Sequence, residues 1–367
     1  MHTVSKVKRR QFVKQVGAVA GATLAASWGT PLIAGSTAKP KIRIGQIGTG
    51  HAHASGVFKS LLSVREHFDV VGVVENNPER RKKLGSSYQG VKVISEEQLL
   101  NTPGLQAAVV ETEVRDLVPT AKRCIDAGLH IHLDKPPGES YQAYKELHAA
   151  AARPKRAIQM GYIYRYRSPF RFCYQAVRDG WLGEIFEIHS VMSKKVGAES
   201  RRKLAEFGGG SMFEIGCHVI DAMIHVLGRP NKTTPFVRRT HPERDTLADN
   251  QVAVFEYPNA TATVRSSLIE YQGGLRRQFT VCGSNGVFDL RPLHGLKFRL
   301  ALEESRGKYK TGYQDVELKP DLGGFIPAFL DLAAIIRGEK EPEWSPEHDL
   351  AVHETVLRAS GYDVAGV

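Results

Sequence analysis

A short apolar strand, Ile42-Arg43-Ile44-Gly45-Gln46-Ile47, runs into Gly48-Thr49-Gly50-His51-Ala52-His53 and then into a helical stretch from Ala54 to Leu62. Strand, glycine-rich turn and helix in that order leave few folds open to the chain. The first glycine permits a tight turn, and the second lets backbone amides approach a pyrophosphate seated on the helix N-terminus. Gly48, Thr49, Gly50 and His51 are therefore candidate dinucleotide contacts. The third position of such turns is normally Gly or Ala, so His53 must push the helix off the strand or point outward. A second strand, Val70 to Val74, ends in Glu75, 25 residues after Gly50, where an acid takes the adenosine ribose hydroxyls. Glu75 would repel a 2′-phosphate, which argues for NAD. Arg80 and Arg81 follow closely and would favour NADP if they fold back over the ribose.

The βα alternation continues through strands at 91–94, 106–110, 130–133 and 157–160, with a helix from Leu117 to Ala127 closed by Gly128 and another capped by Ser140. With the first two strands this makes six, and a doubly wound parallel sheet of the Rossmann type over residues 39–160. The fifth strand ends in Asp134-Lys135-Pro136-Pro137. Ligands in such sheets bind outside the carboxyl ends of the strands, so Asp134, Lys135 and Pro136 should face the cofactor. Beyond Gly161 the pattern changes to Tyr162-Ile163-Tyr164-Arg165-Tyr166, a helix, and longer strands at 185–192, 251–257, 261–268, 277–282 and 287–290, with Asn259 and Asn285-Gly286 as turns. Residues 161–367 thus read as an α+β domain on a largely antiparallel open sheet, one face carrying helices and the other free for a partner subunit. Helices from Pro327 to Arg337 and from Pro346 to Ser360 read as structural.

The densest chemistry lies between Gly208 and Asp221, in Gly208-Gly209-Gly210-Ser211-Met212-Phe213-Glu214-Ile215-Gly216-Cys217-His218-Val219-Ile220-Asp221. If Ser211 caps a helix, Glu214, His218 and Asp221 project from one face. An imidazole flanked by two carboxylates is a proton-handling unit, because His changes charge near neutral pH and a carboxylate can orient its ring. The plain alternative is an amphipathic helix whose polar face meets water. Gly216 costs the helix about 1 kcal/mol against Ala, which the close approach of a ligand would explain.

Residues 1–38 carry a different message. Lys6-Val7-Lys8-Arg9-Arg10-Gln11-Phe12-Val13-Lys14, a weakly apolar stretch from Gly17 to Ala26 and small residues at Ser36-Thr37-Ala38 are the three regions of a secretory peptide. The paired arginines followed by Phe12 and Lys14 resemble a twin-arginine signal, an address read by a translocase and no membrane anchor. Export to the periplasm is expected. Without this segment the net charge falls from +11 to +6, and no run of basic residues interleaves with aromatics, so nucleic acid is not an expected partner. Cys124, Cys173, Cys217 and Cys282 follow no C-x-x-C spacing and are expected as free, mostly buried thiols. The pairs His51/His53 and His130/His132 find no carboxylate or Cys set in the sequence to complete them, so no metal is expected.

The turn at Gly48 to Gly50, the Asp134-Lys135-Pro136 triplet, Arg165-Tyr166 before a proline, the glycine run and Glu214-x-x-x-His218-x-x-Asp221 resemble, in order and spacing, the Gfo/Idh/MocA family of NAD(P)-dependent oxidoreductases of sugars and cyclitols. The resemblance implies Lys135 and His218 as catalytic residues, with Glu214 beside them. Asp134 departs from the family's usual Glu, and Glu214 from its common Asp. For hydride transfer from a secondary alcohol, His218 is then the base and Lys135 the alkoxide stabiliser, with Arg165, Tyr162, Tyr164 and Asp221 on the substrate wall. Outside the cytoplasm no nicotinamide pool is expected, so the cofactor, NAD or NADP, should be tightly bound and returned to its starting state within each cycle. A sugar-to-sugar oxidoreductase satisfies that. So does a glycosidase that oxidises transiently, eliminates and re-reduces, while a non-catalytic sugar-binding protein is the remaining alternative. The resemblance also implies a homo-oligomer.

Overall fold

The protein is described from a computed structural model covering residues 39–364. The expected export signal at 1–38 lies outside the described residues. The chain begins with β1 (Ile42–Ile47), α1 (Ala54–Leu62), β2 (Phe68–Val74), α2 (Pro78–Lys82), α3 (Glu96–Leu100), β3 (Leu105–Val110), α4 (Val114–Asp126), β4 (His130–Leu133), α5 (Tyr141–Ala152) and β5 (Ile158–Met160). The strands pair in the order β2-β1-β3-β4-β5, all parallel. Both faces are covered, which is why Ile44, Ala107, Ala108, Val109, Val110, Ile131 and Leu133 are all buried and the strands read as continuous apolar runs.

Five strands form here where six were expected. Residues 91–94 make a single parallel bridge, Val93 to Val73, on the outer edge of β2. Val73 donates to the Lys92 carbonyl and accepts from the Ile94 amide, but Ser95 then caps α3 through a reciprocal bond with Gln98, and the chain turns away before a ladder can grow. Counting that bridge as a strand gives the order 3-2-1-4-5-6 of doubly wound dinucleotide folds, in which ligands bind where the strand order reverses. In this protein that is the carboxyl end of β1 and β3.

The second half contains α6 (Ser168–Arg178), β6 (Ile185–Ser193), α7 (Ala198–Leu204), α8 (Cys217–Leu227), β7 (Lys232–Arg238), β8 (Asn250–Glu256), β9 (Thr261–Ser267), β10 (Gln278–Gly283), β11 (Gly286–Leu290), β12 (Lys297–Leu302), β13 (Gly312–Glu317), α9 (Ile326–Ile336) and α10 (Pro346–Ala359). Its eight strands run in the order β13-β12-β11-β10-β6-β9-β8-β7, antiparallel except for the β6–β9 pair. Alternation along β8, β9 and β10 buries Ala253, Phe255, Ala262, Val264, Phe279 and Val281 on one face, each large side chain contributing roughly 1.5–3 kcal/mol. Residues from α6, α8 and α10 complete that core. Three of the eight strands, β7, β12 and β13, were not among those expected from sequence. All four cysteines are free, three of them buried. Among the described residues no helix is long and apolar enough to cross a membrane.

Candidate active site

The turn after β1 is built for a close approach. Gly48 has φ +87°, and a Cβ there would stand 2.7 Å from the Thr112 amide nitrogen; a Cβ on Gly50 would stand 2.8 Å from the Glu113 carboxyl. The Thr49 amide donates to Glu75 Oε2 at 3.1 Å, and the Thr49 hydroxyl bonds the same oxygen. Arg80 folds back over Glu75, donating from Nε and Nη2 at 3.1 Å each, and its other edge reaches Glu113. Burial alone would raise the Glu75 carboxyl, but the bonds from Arg80, Thr49 and the Asn77 amide outweigh it and hold the group below its ordinary value. Arg81 instead donates to the Glu75 carbonyl at 2.9 and 2.7 Å. A cavity of about 260 Å³ opens beside Glu75, lined among others by Gly48, Val74, Asn76, Thr112 and Arg123.

His53, at the third turn position, does not point outward: its side chain, one-third exposed, leans onto the end of β4 with Nδ1 3.2 Å from Asp134 Oδ2. His51 Nδ1 contacts the same oxygen, and Asp134 Oδ1 accepts the Lys135 amide at 2.7 Å. Asp134 is fully buried. It was expected to face the cofactor; instead its carboxylate is engaged by the two histidines, for which the shorter Asp leaves room. Pro136 is buried directly behind Lys135.

The Lys135 ammonium, 1% exposed, donates to the Glu214 carbonyl at 3.0 Å. Burial would lower its pKa, but the Glu214 carboxylate, with Cys217, Asp134 and Glu111, outweighs burial and holds it above the ordinary lysine value. Glu214 in turn lies 3.7 Å from the Lys194 ammonium, and Lys135 and Lys194 overcome burial to keep it ionised. His218 is buried at the edges of Tyr162 and Tyr164, ring centroids 6.0 and 5.5 Å away, with Nδ1 free of partners. Burial first, then Lys135 and His53, push its pKa well below the usual value, so it is neutral at pH 7. Lys135, Glu214 and His218 are thus brought together.

Asp221 and Arg165 are not on an open wall. Arg165 donates to both oxygens of Asp221 and also pairs with Asp349, all three at most 3% exposed, while His348 Nε2 stands 3.0 Å from Asp221. A π turn at Met212–Gly216 precedes α8 and changes the expected spacing of Glu214 to His218, whereas Asp221 lies three residues beyond His218 within α8, where it meets Arg165 and His348 of α10. Ser211 does not cap the helix. Its single hydroxyl proton is aimed at Gln251 Oε1, 2.9 Å away, with the Ser266 carbonyl a second acceptor at 3.1 Å. Gly216 makes room for the Met212 sulfur, 2.6 Å from where its Cβ would be, and not for a ligand. Tyr162 lies under the Arg165 guanidinium at 5.0 Å, and Tyr164 stacks on Phe170 at 4.6 Å, so both frame His218 from within the core. Lys194 and Glu111, just past the ends of β6 and β3, and Glu113, ahead of α4, belong to the site but carry no sequence signal of their own; Arg80, singled out for the ribose, grips Glu75 and Glu113.

Residues 42–162 match the GFO/IDH/MocA oxidoreductase family with its NAD-binding Rossmann fold, and residues 170–289 match the GFO/IDH/MocA C-terminal domain. The chain is 26% identical to the uncharacterized oxidoreductase YdgJ of Escherichia coli over 73% of its length and 74% of the relative's. It is 23% identical to the scyllo-inositol 2-dehydrogenase (NADP(+)) IolW of Bacillus subtilis over 59% of its length and 60% of the relative's. The aldose-aldose oxidoreductase of Caulobacter crescentus, solved with glycerol, shares the fold at TM-score 0.73 and 22% identity, covering 88% of this chain and 98% of the other. With the dinucleotide turn, the Lys135–Glu214–His218 cluster and both matched domains in place, the chain is an NAD(P)-dependent oxidoreductase carrying the N- and C-terminal domains of the GFO/IDH/MocA family.

Proposed function

We propose that the enzyme oxidises a secondary alcohol of a sugar or cyclitol, outside the cytoplasm, with a nicotinamide cofactor that stays bound and is returned to its starting state by reducing a second sugar. The observation that carries the reading is the convergence of a neutral His218, a charged Lys135 and an ionised Glu214 at the carboxyl end of β4, beside the Gly48–Gly50 turn. The close-approach glycines, the cavity beside Glu75 and the Gly50 and Ala52 amides, which make no hydrogen bond within the described residues, suit a dinucleotide. Nicotinamide, when bound, takes up or returns the hydride. His218 takes the hydroxyl proton. The Lys135 ammonium has three donors, of which the Glu214 carbonyl uses one, so two remain to steady the alkoxide. The Glu214 carboxylate, held by Lys194, serves an adjacent hydroxyl.

Sugars and cyclitols are favoured because the relatives include a scyllo-inositol dehydrogenase and an aldose-aldose oxidoreductase. Export rests on the twin-arginine-like segment, and retention of the cofactor follows from export. Exposed Phe186, Phe236 and Tyr313 on strands β6, β7 and β13 support association of subunits through the second sheet. The test is to acid-denature enzyme purified without added nucleotide and weigh the released small molecule by mass spectrometry, then assay a panel of sugars and cyclitols. Stoichiometric NAD or NADP with a new ketose or lactone is expected. An empty protein would overturn retention, and net hydrolysis of an aryl glycoside would make the enzyme a glycosidase.

A further inference from the structure

Arg277 stands just ahead of β10, half-buried, and takes no part in the chemistry assigned to Lys135 and His218. Its Nε donates to the Ser193 carbonyl at 3.0 Å and its Nη1 to His294 Nε2 at 2.7 Å, and a third bond reaches the Tyr164 hydroxyl oxygen. Burial, with Arg277 and Arg167, lowers the His294 pKa, which leaves Nε2 free to accept. His294 is fixed in turn, because Arg167 donates to its carbonyl at 3.1 Å. A guanidinium has five donors, so two remain on Arg277, and among the described residues no carboxylate pairs with it. Its neighbours differ: Arg167 holds Asp321 and Arg276 holds Glu270.

Tyr164 ties this guanidinium to the reacting end of the site. Its ring centroid lies 5.5 Å from that of His218 and 6.3 Å from that of His294, and its hydroxyl is the group that meets Arg277. Ser193, whose carbonyl Arg277 grips, is followed by Lys194, whose side chain is about one-third exposed and whose ammonium lies 3.7 Å from Glu214. Burial lowers the Lys194 pKa; Glu214 opposes this, but Lys135 and Arg277 add to it and the net shift is downward. Lys135, Lys194 and Arg277 thus bring three positive charges together against two ionised carboxylates, Glu214 and Asp134, which leaves one charge uncompensated. A cleft with an excess of one sign gathers ligands of the other, and a guanidinium with open donors suits a carboxylate. We infer that the substrate is an acidic sugar, a uronate or an aldonate, whose carboxylate is taken by Arg277 and Lys194 while a hydroxyl on another carbon meets His218 and Lys135. Tyr164 between Arg277 and His218 is what separates the two carbons. One uncompensated charge matches a carboxylate better than a phosphate, which carries about 1.5 to 2. The inference rests on the oxidation read at His218 and leaves its steps unchanged; it adds which class of sugar is oxidised.

The test titrates full-length enzyme, saturated with NAD, by calorimetry. The ligands are glucuronate, galacturonate and gluconate, with glucose and galactose as neutral partners and glucose 6-phosphate as the other anion. At least one sugar acid is expected to bind about 10-fold or more tightly than its neutral partner, and to lose much of that advantage at high salt. Arg277→Gln should bring the two dissociation constants together, whereas Arg277→Lys, which keeps the charge, should retain part of the preference, with both variants folded by circular dichroism. Neutral sugars that bind wild type as tightly as their acids, no binding of any sugar acid, a preference that survives in Arg277→Gln, or glucose 6-phosphate as the tightest ligand would each overturn the inference. Turnover is followed separately. A sugar acid that binds through Arg277 but is never oxidised supports the binding site and sinks the oxidation reading, whereas oxidation of neutral sugars with no preference for acids does the reverse.

Discussion

The Lys135 ammonium donates to the Glu214 carbonyl across 79 residues of sequence, tying the end of a parallel strand to the π turn that precedes α8. The bond holds Lys135 within reach of His218 while leaving two of its donors free. Lys135→Met should lower turnover by on the order of 10²–10³, the usual effect of removing a donor that steadies developing negative charge. His218→Ala should lower it by about 10²–10⁴. Both should retain nucleotide by mass spectrometry. Near-normal rates for either variant on the best substrate of the panel would remove that residue from the chemistry.

Arg165 and its carboxylates act on stability. Arg165→Met leaves Asp349 buried without its counter-charge and Asp221 with His348 alone, and a loss of about 3–5 kcal/mol is expected in urea unfolding. A substrate-wall residue would instead raise KM with little change in the unfolding midpoint, so the two measurements together separate the roles.

The acid limb of stability follows from two buried groups. Burial lowers the His353 pKa from 6.5 to about 3, so the folded state keeps it neutral and loses stability as pH falls from about 6.5 toward 3, where the unfolded chain binds the proton first. Burial would raise Asp221, but Arg165 and His348 outweigh it and bring it from 3.8 to about 2. Its contribution, about 2 kcal/mol, is complete above about pH 4 and is lost as pH falls through 2. Urea midpoints measured from pH 7 to 2.5 should decline in both windows. Asp221→Asn should be weaker at neutral pH and lack the lower decline.

Much of this was legible in the sequence, for reasons of short range. The Gly48 turn, Glu75 at the end of β2, the Ser140 cap of α5 and the alternating strands β8 to β10 are set by residues next to one another. The strand expected at 91–94 shrank to one bridge because the Ser95 cap intervened. What stayed hidden depends on partners far along the chain. Nothing near Asp134 announces that it will meet His51 and His53, the latter 81 residues earlier, and nothing near Arg165 points to Asp349, 184 residues on. The π turn has no residue near it that announces it, yet it changes the spacing of Glu214 to His218.

Two glycines separate strain from propensity. Gly48→Ala meets both a left-handed backbone and the Thr112 amide; the backbone alone costs about 1–2 kcal/mol, and cofactor content should fall with it. Gly56, in α1, faces open space, with nothing within 4 Å of the point where an alanine methyl would sit, so Gly56→Ala should stabilise by about 0.4–1 kcal/mol. Thermal unfolding and nucleotide content of the two variants check both signs.

Arg80 sets the charge at Glu75, the acid expected to take the adenosine ribose hydroxyls. It is held between Glu75 and Glu113, and its guanidinium offsets the one acid that would repel a 2′-phosphate. Removing it leaves Glu75 facing the cavity with only Thr49 and the Asn77 amide to satisfy it. Arg80→Ala should therefore weaken NADP far more than NAD. A charge-assisted hydrogen bond is worth about 1.5–3 kcal/mol, so the ratio of the two dissociation constants should move by roughly 10- to 150-fold toward NAD. Fluorescence titration of cofactor-stripped enzyme with each nucleotide measures that ratio directly. An unchanged ratio would mean that Arg80 serves only to anchor Glu75 and Glu113, and that the ribose phosphate, if present, lies outside its reach.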